Sequence, residues 1–348
     1  MTKPLTGQTS TLKRINVALV KNALRARGTA TRRELSEVTN LSQPTVNAII
    51  SMLREENEVV YRGSALSSGG RRAELYALNH EHQLVAAVFA MSDHLDFAVT
   101  DTCGAILSHG TTVIAPDKEY AEQISSLIRR LIDHYPSIRV AGVTFPSAVT
   151  APGELFAAPQ MPHLERMDMG QQLQKRLPIP VVLENDVKLR ALGYYRAELM
   201  RKTENMVYLH LSTGLGAGII LNGHCHCGYT NFSGELSYMC IADEKDDRSL
   251  EEILTKTTDQ GLLVKLLSRL ALSLICIVNP PFFVMGGSRI TADMVEQIKN
   301  NCMQQLPKGV MPHFLYAEDE TQYLYGGIAS YAQEQIDTEL RIVRTGEA

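Results

Sequence analysis

The stretch TRRELSEVTNLSQPTVNAIISMLREENEVVYRGSALSSGGRR, residues 31–72, decides how the front of this chain folds. Thr31 and Glu34 stand at capping-box spacing, so the threonine hydroxyl can accept a free backbone N–H while the glutamate reaches back. Leu35 and Val38 give that first helix an apolar side. Asn40-Leu41 reads as a turn, and Ser42 as the N-cap of a second helix with Pro44 tolerated in its first turn. There Val46, Ile49, Ile50 and Leu53 recur at i, i+3, i+4 and i+7, one buried stripe. The same spacing turns Gln43, Thr45, Asn47, Ala48 and Ser51 outward. These short uncharged side chains can exchange hydrogen bonds with base edges in a major groove. Residues 59–61 and 75–78 read as strands around 67–72, a glycine-rich loop whose Arg71 and Arg72 can reach phosphates or a minor groove. Helix, turn, helix and a hairpin with a basic tip point to a winged helix-turn-helix on double-stranded DNA, in preference to a helical subdomain with a solvated loop.

The charge is divided along the chain. Residues 1–80 carry 12 Lys+Arg against 6 Asp+Glu, a balance of +6; the remaining 22 and 32 leave −10 behind them. A positive front suits a polyanion partner, which the acidic remainder would not help to hold. At 348 residues the chain has room for two or three domains with full cores. Six cysteines without a regular disulfide framework, and no signal peptide or long apolar run, place it in a reducing cytoplasm with no membrane partner.

Residues 1–12 read as a polar arm, and Ile15, Leu19 and Ala23 as the start of a helix completing a three-helix core. A polar hinge at 79–82 leads into a region where strands alternate with helices. Strands are expected at 84–91, 96–100 and 106–109, then a helix at 120–134 with Ile124, Leu127, Ile128 and Leu131 on one side. Further strands are expected at 140–145 and 181–183, and a helix at 186–199. A second lobe begins near Thr203 with a strand at 206–211, a glycine-rich turn at 213–218 and a returning strand at 219–221. Helices at 250–254 and 262–278, a strand at 282–285 ending in Gly286-Gly287, and a closing helix from 326 follow. The expected domains are 1–82, then a first lobe of 83–196 with 326–348, then a second lobe of 197–325. No short-period repeat is visible.

In this order, and behind a helix-turn-helix, GGRR (69–72), GVTFPSAV (142–149), ENDV (184–187), STGLGAG (212–218), SGELSYM (233–239) and MGG (285–287) resemble the ROK family. That family joins sugar-responsive transcriptional repressors with bacterial sugar kinases, and the resemblance covers nearly the whole chain. It implies an α/β fold: a winged helix followed by a two-lobed, actin- and hexokinase-like domain. In the kinases an aspartate in a Glu-Asn-Asp run takes the proton of the attacking sugar hydroxyl. Its match here is Asp186, beside Asn185, and a carboxylate there could equally hydrogen-bond a sugar without catalysis. The residues alone also allow Asn185 and Asp186 to cap the following helix, and both roles are compatible. Glu235 and Glu251 match carboxylates that grip sugar hydroxyls, and Gln160 stands where the family often has a sugar-binding asparagine.

Two departures bear on activity. The kinases begin their first strand with Asp-x-Gly-Gly-Thr, whose glycines let backbone amides approach ATP phosphate. Here the aligned stretch is Phe89-Ala90-Met91-Ser92-Asp93, with side chains at the glycine positions and a carboxylate toward phosphate. The opposing Thr213-Gly214-Leu215-Gly216 and Gly286-Gly287 are retained, and read as tight turns needed by the fold. The family's zinc histidine is Tyr238 here, and its cysteine loop is shortened to 241–249 without thiols. His224-Cys225-His226-Cys227 follows a hairpin turn at Asn222-Gly223, so alternate residues face opposite ways and cannot all meet one ion. The expectation is therefore no metal, no cofactor and no catalytic residue, in a cytoplasmic repressor working as a homodimer or higher homo-oligomer. Its rear domain would close on a sugar or sugar phosphate and alter operator binding. Alternatives are a sugar kinase with an accessory DNA-binding domain, and a constitutive DNA-binding protein whose rear domain only dimerises.

Overall fold

The computed structural model describes residues 9–64, 73–150, 153–240, 248–318 and 320–342. Two compact units emerge, Met1–Gln83 with Glu334–Ala348, and Leu84–Gln333.

The front unit runs α1 (Thr9–Arg27), β1 (Ala30–Thr31), α2 (Arg32–Thr39), α3 (Gln43–Glu55), β2 (Val59–Ser64) and β3 (Glu74–Leu78). Both halves of the capping box at Thr31 and Glu34 form. Asn40 closes α2 in the left-handed conformation, and Ser42 Oγ accepts from Thr45 N to start α3. Val46, Ile49, Ile50 and Leu53 are buried with Leu35, Tyr76 and Leu78 in one core. Each of those aliphatic side chains contributes about 1.5–3 kcal/mol on burial. β3 pairs antiparallel with both β1 and β2, making a three-stranded sheet.

Three expectations here need correction. Val38 is 53% exposed, so α2 buries Leu35 without it. On α1 the buried side is Val20, Ala23 and Leu24, whereas Ile15 and Leu19 face solvent. Thr9–Leu12 already belongs to α1 rather than to a polar arm; residues 1–8, like the loop tip with Arg71 and Arg72, lie outside the described residues.

In the rear unit a single plan occurs twice. The first sheet contains β4 (Leu84–Ala90), β5 (His94–Asp101), β6 (Ile106–Val113), β7 (Ile138–Phe145) and, after the small hairpin β8 (Ala148–Val149) and β9 (Leu155–Phe156), β10 (Val181–Asn185). Its order is β10-β7-β4-β5-β6, an antiparallel meander extended by two parallel strands. The second sheet contains β11 (Met206–Leu211), β12 (Leu215–Leu221), β13 (His224–Cys225), β14 (Phe282–Gly286) and β15 (His313–Ala317). Its order, β13-β12-β11-β14-β15, is again a meander plus two parallel strands. The repeat escapes the sequence because it conserves topology rather than residues.

Helices α4 (Tyr120–His134) and α5 (Met169–Arg176) cover the first sheet. The second is covered by α7 (Leu250–Lys256), α8 (Gln260–Val278) and α9 (Ala292–Met303), with α6 (Asp186–Tyr194) on its other face. α8 corrects the expectation of no long apolar run: its length and composition would suit a membrane span. Leu263, Leu266, Leu267, Leu270, Leu274 and Ile275 nevertheless sit inside the second lobe's core. α6 follows β10 but packs Val187, Ala191 and Leu192 against Tyr208 and Ile220 of the second sheet. α10 (Glu320–Ile342) follows β15, begins before the expected 326, and packs Leu324, Tyr325 and Ile328 against Ala87 and Ala98 of the first.

α6 and α10 meet at Gly193 and Gly327, where an added Cβ on either would overlap a backbone carbonyl, that of Tyr323 or of Leu189. The expected helix 186–199 is α6 continued by a single wider turn, Tyr195–Leu199. The expected glycine turn 213–218 is shorter, because β12 already starts at Leu215. Gly216 and Gly218 lie within that strand, where Ala191 of α6 leaves no room for a Cβ at Gly218 and Val187 only a tight fit at Gly216.

Candidate functional site

On α3, Gln43, Ala48 and Ser51 are exposed, while Thr45 and Asn47 are partly covered. Thr45 Oγ1 lies 2.8 Å from Ser42 Oγ, so its hydroxyl is engaged in the cap as well as turned outward. The outward stripe is polar and uncharged over the buried one.

A cavity of about 790 Å³ in the rear unit opens beyond the carboxyl ends of the strands, the usual ligand position in open α/β sheets. All five candidate ligand residues, Gln160, Asn185, Asp186, Glu235 and Glu251, line it. Asn185 takes its foreseen capping role. Its Oδ1 accepts from Lys188 N at 3.1 Å, capping α6, and its Nδ2 donates to the Ser147 carbonyl at 3.1 Å. Asp186 lies one residue on, with Oδ2 3.6 Å from Arg190 Nε. Ser147 Oγ and Arg190 Nε are buried and have no hydrogen-bond partner. Glu235 is pushed up to about 7, first by burial, with Asp186, Glu251 and Glu184 adding to the rise against Lys188. Burial also raises Glu251, opposed by the Leu215 N–H that donates to its Oε2 at 3.0 Å.

The other end of the cavity uses residues that no local motif announces. Glu320, the first residue of α10, accepts from Tyr208 OH at 2.6 Å and sits 2.8 Å from His210 Nδ1. Burial works against its charge, but the His210 hydrogen bond and the charges of His210 and Arg190 outweigh it and hold the carboxyl below the usual range. Arg190 also donates to the Glu320 carbonyl at 3.2 Å and covers the Phe89 ring at 5.6 Å. Its i+4 spacing from Asp186 was a readable signal. His210 and Glu320, 110 positions apart, gave none.

Phe89, at the position of the family's leading aspartate, and Met91, at its first glycine position, line the cavity. Asp93 does not: it lies on an exposed turn with Oδ1 2.6 Å from His94 Nδ1, which corrects the expected carboxylate toward phosphate. Tyr238 lines the cavity, 62% exposed, with its ring 5.1 Å from Phe232. His224 and His226 face outward while Cys225 and Cys227 are half-buried. Among the described residues no three His, Cys, Asp or Glu side chains converge as metal ligands; residues 241–247 of the shortened loop lie outside them.

The ROK family model matches residues 87–249, and a winged helix-turn-helix DNA-binding model matches 22–57. The chain carries a ROK family domain behind a winged helix-turn-helix. The xylose repressor of Bacillus subtilis (strain 168) is 26% identical over 236 residues, covering 66% of this chain and 61% of that protein. The chain thus spans about three fifths of that relative's length. The xylose repressor of Caldicellulosiruptor bescii is 24% identical over 74% of this chain and 70% of its own. Among solved structures, a ROK family transcriptional regulator described as a homolog of the E. coli MLC protein superposes with a TM-score of 0.77. It covers 96% of this chain and 100% of its own at 18% identity. The ROK hexokinase of Thermus thermophilus follows the ROK domain with a TM-score of 0.62 at 17% identity, over 74% of this chain and 100% of its own. The likeness establishes the fold: a winged helix-turn-helix ahead of a ROK-type α/β domain.

Proposed function

We propose that the chain is a cytoplasmic DNA-binding repressor whose operator affinity responds to an uncharged sugar held in the rear cavity. The observation that carries the reading is the pairing, in one chain, of an outward polar stripe on α3 with a cavity walled by hydroxyl-gripping groups. The xylose-repressor names of its relatives support it. Gln43, Thr45, Asn47 and Ser51 are assigned to the major groove, Arg71 and Arg72 to phosphate or minor groove. Asn185, Asp186, Glu235, Glu251 and Gln160 are assigned to the sugar, and Ser147, with its free buried hydroxyl, joins them.

Of the two effectors foreseen, the unphosphorylated sugar fits the charge better. Five carboxylates, those of Glu165, Asp186, Glu235, Glu251 and Glu320, line the cavity, against the cation Arg190 and His210. Carboxylates accept from hydroxyls but repel phosphate. The same wall argues for a binder rather than a kinase: Met91 stands where phosphate would need a backbone amide, and Leu215 N–H already serves Glu251. A homodimer, or a higher homo-oligomer, gives the paired recognition helices that two half-sites require.

The test selects operator sequences from random duplexes with the full-length protein. It then measures their affinity with and without D-xylose and a panel of neutral and phosphorylated sugars. One neutral sugar should shift operator affinity at least about tenfold, a coupling of about 1.4 kcal/mol. Sugar-dependent ATP consumption that Asp186→Asn abolishes would replace this reading with the kinase.

A further inference from the structure

Behind the Asn185-Asp186 corner, one buried carboxylate is bonded to both lobes. Glu184, near the end of β10, is 2% exposed, and its Oε1 accepts from Asn185 N at 2.8 Å and from Asn231 Nδ2 at 3.1 Å. Its Oε2 accepts from the same Asn231 amide at 3.2 Å, and that amide also donates to the carbonyl of Val149 in β8. Lys188 Nζ lies 3.7 Å from the carboxylate and donates to the Asn231 carbonyl at 2.5 Å. Asn231 makes these contacts from a left-handed φ of 64°, a conformation that asparagine tolerates.

The segment that carries Asn231 follows β13, and three residues later it is anchored to the other lobe. The Gly234 carbonyl accepts from Ala217 N of β12 at 2.9 Å, and Leu236 lies in the second lobe's core. Between the two anchors Phe232 stacks on Phe156 of β9, with ring centroids 6.0 Å apart, and its ring lies 5.1 Å from that of Tyr238. Glu235 and Tyr238, both on the cavity wall, come directly after.

Given the sugar reading, on which this role rests, we propose that Asn231 is a positioning residue of the sugar site. Bonded to Glu184, it sets Glu235 and Tyr238 of the second lobe against Asn185 and Asp186 of the first. Facing a carboxylate and a carbonyl, the position requires a donor with two hydrogens, which an amide has and a carboxylate lacks. Loss of the amide strips a buried carboxylate of a donor, which favours movement of the segment to admit water. A sugar held by Asp186 and Glu235 together spans this joint, so its affinity reports how well the joint is set.

The test uses the full-length chain and calorimetric titration with D-xylose, or with whichever neutral sugar of the operator panel binds wild type most tightly. Asn231→Gly keeps the left-handed backbone and removes only the side chain. It should weaken sugar binding at least about tenfold, as loss of a hydrogen bond to a charged group does. Hydrogen exchange should rise across 232–238 and stay unchanged in β11. Asn231→Asp keeps the shape but sets a second carboxylate against Glu184, so the two share a proton only in acid. The other titratable groups at this position are Lys188 of α6 and the thiols of Cys227, 3.8 Å from Glu184 Oε2, and Cys225. Affinities are compared with wild type at the same pH, which cancels the titration of Glu235. On that scale Asn231→Asp should bind at least about tenfold weaker at pH 8 and recover most of the loss at pH 5. One variant carries both states, so a folding defect cannot imitate the recovery. A loss under about threefold in Asn231→Gly, a deficit in Asn231→Asp that ignores pH, or unchanged exchange across 232–238 would each overturn the proposal. If wild type binds no sugar of the panel, the sugar reading falls, and the exchange measurement alone decides whether Asn231 holds this segment in place.

Discussion

The two sheets of the rear unit share one strand plan and treat the cavity differently. Where β4 turns into β5, the first sheet presents Phe89 and Met91 to the cavity and sends Asp93 outward to His94. Where β11 turns into β12, the second sheet keeps the small Thr213-Gly214, yet the N–H of Leu215 is already bonded to Glu251. One turn is closed by bulk and the other by an internal carboxylate. A glycine run therefore marks a phosphate site only when its amides are free. Here Gly216 and Gly218 admit α6, and Gly286 admits the ends of Tyr208 and Glu320. The glycines serve packing.

The largest expected effect breaks the joint through which the two sheets meet. Gly327→Ala drives a Cβ into the Leu189 carbonyl, and Gly193→Ala drives one into that of Tyr323. Backbone cannot swing aside as a side chain does, so each should cost about 3 kcal/mol, the upper end for overpacking. Gly214→Ala meets only the flexible end of Gln160 and should cost under about 1 kcal/mol. Denaturant titration of the three variants checks the ranking. A Gly214→Ala loss equal to that of Gly327→Ala would mean that the β11–β12 turn is held as tightly as the helix crossing.

The front unit was legible almost residue by residue because its rules are local: a capping box, an N-cap and a 3.6-residue stripe each act within a few positions. Where reading failed there, at Ile15, Leu19 and Val38, the exposed residues were chosen by hydrophobicity and adjacent positions carried the contact. In the rear unit most of the longer strands were legible as apolar runs, though β15 was not foreseen, and the five assigned cavity residues were found through motif order. Ser147, Arg190, His210 and Glu320 were missed as site residues. Their partners are set by the duplicated plan, which brings the end of β10 and the start of α10 to one cavity from opposite ends of the domain. Tyr208, His210 and Glu320 carry no spacing that a single sequence could reveal.

A second prediction sharpens the contrast between the two walls. Asp186 brings a carboxyl group to the cavity wall, whereas Met91 offers only apolar contact. Asp186→Asn should weaken binding of the responsive sugar by roughly ten- to a hundredfold, since a charged hydrogen bond contributes about 1.5–3 kcal/mol. Met91→Ala should change it by less than about threefold. Calorimetric titration with the sugar identified from operator binding makes the measurement. Equal losses would show that the first sheet's bulky turn grips the sugar as firmly as the Asn185-Asp186 corner.

The smallest effect is read through pH. Glu235 is pushed up from its ordinary 4.5 to about 7, chiefly by burial. Between those values the folded state keeps a proton that the unfolded chain has released. Its stabilising contribution is therefore complete below about pH 4.5 and disappears as pH rises through 7. Glu235→Gln removes the titration while keeping the shape. Relative to wild type the variant should gain stability, on the order of 2 kcal/mol, as pH rises from 5 to 8. Glu320, held below the usual range by His210 and Arg190 despite burial, runs the other way. Its contribution is present above the ordinary carboxylate range and fades as pH falls through the lowered value, so Glu320→Gln should separate from wild type least in acid and most at neutral pH. Stability measured across pH 3–8 for both variants decides the matter. If Glu235→Gln tracks wild type in parallel throughout, that carboxyl is already ionised at neutral pH, and the cavity is wetter on this side than its burial implies.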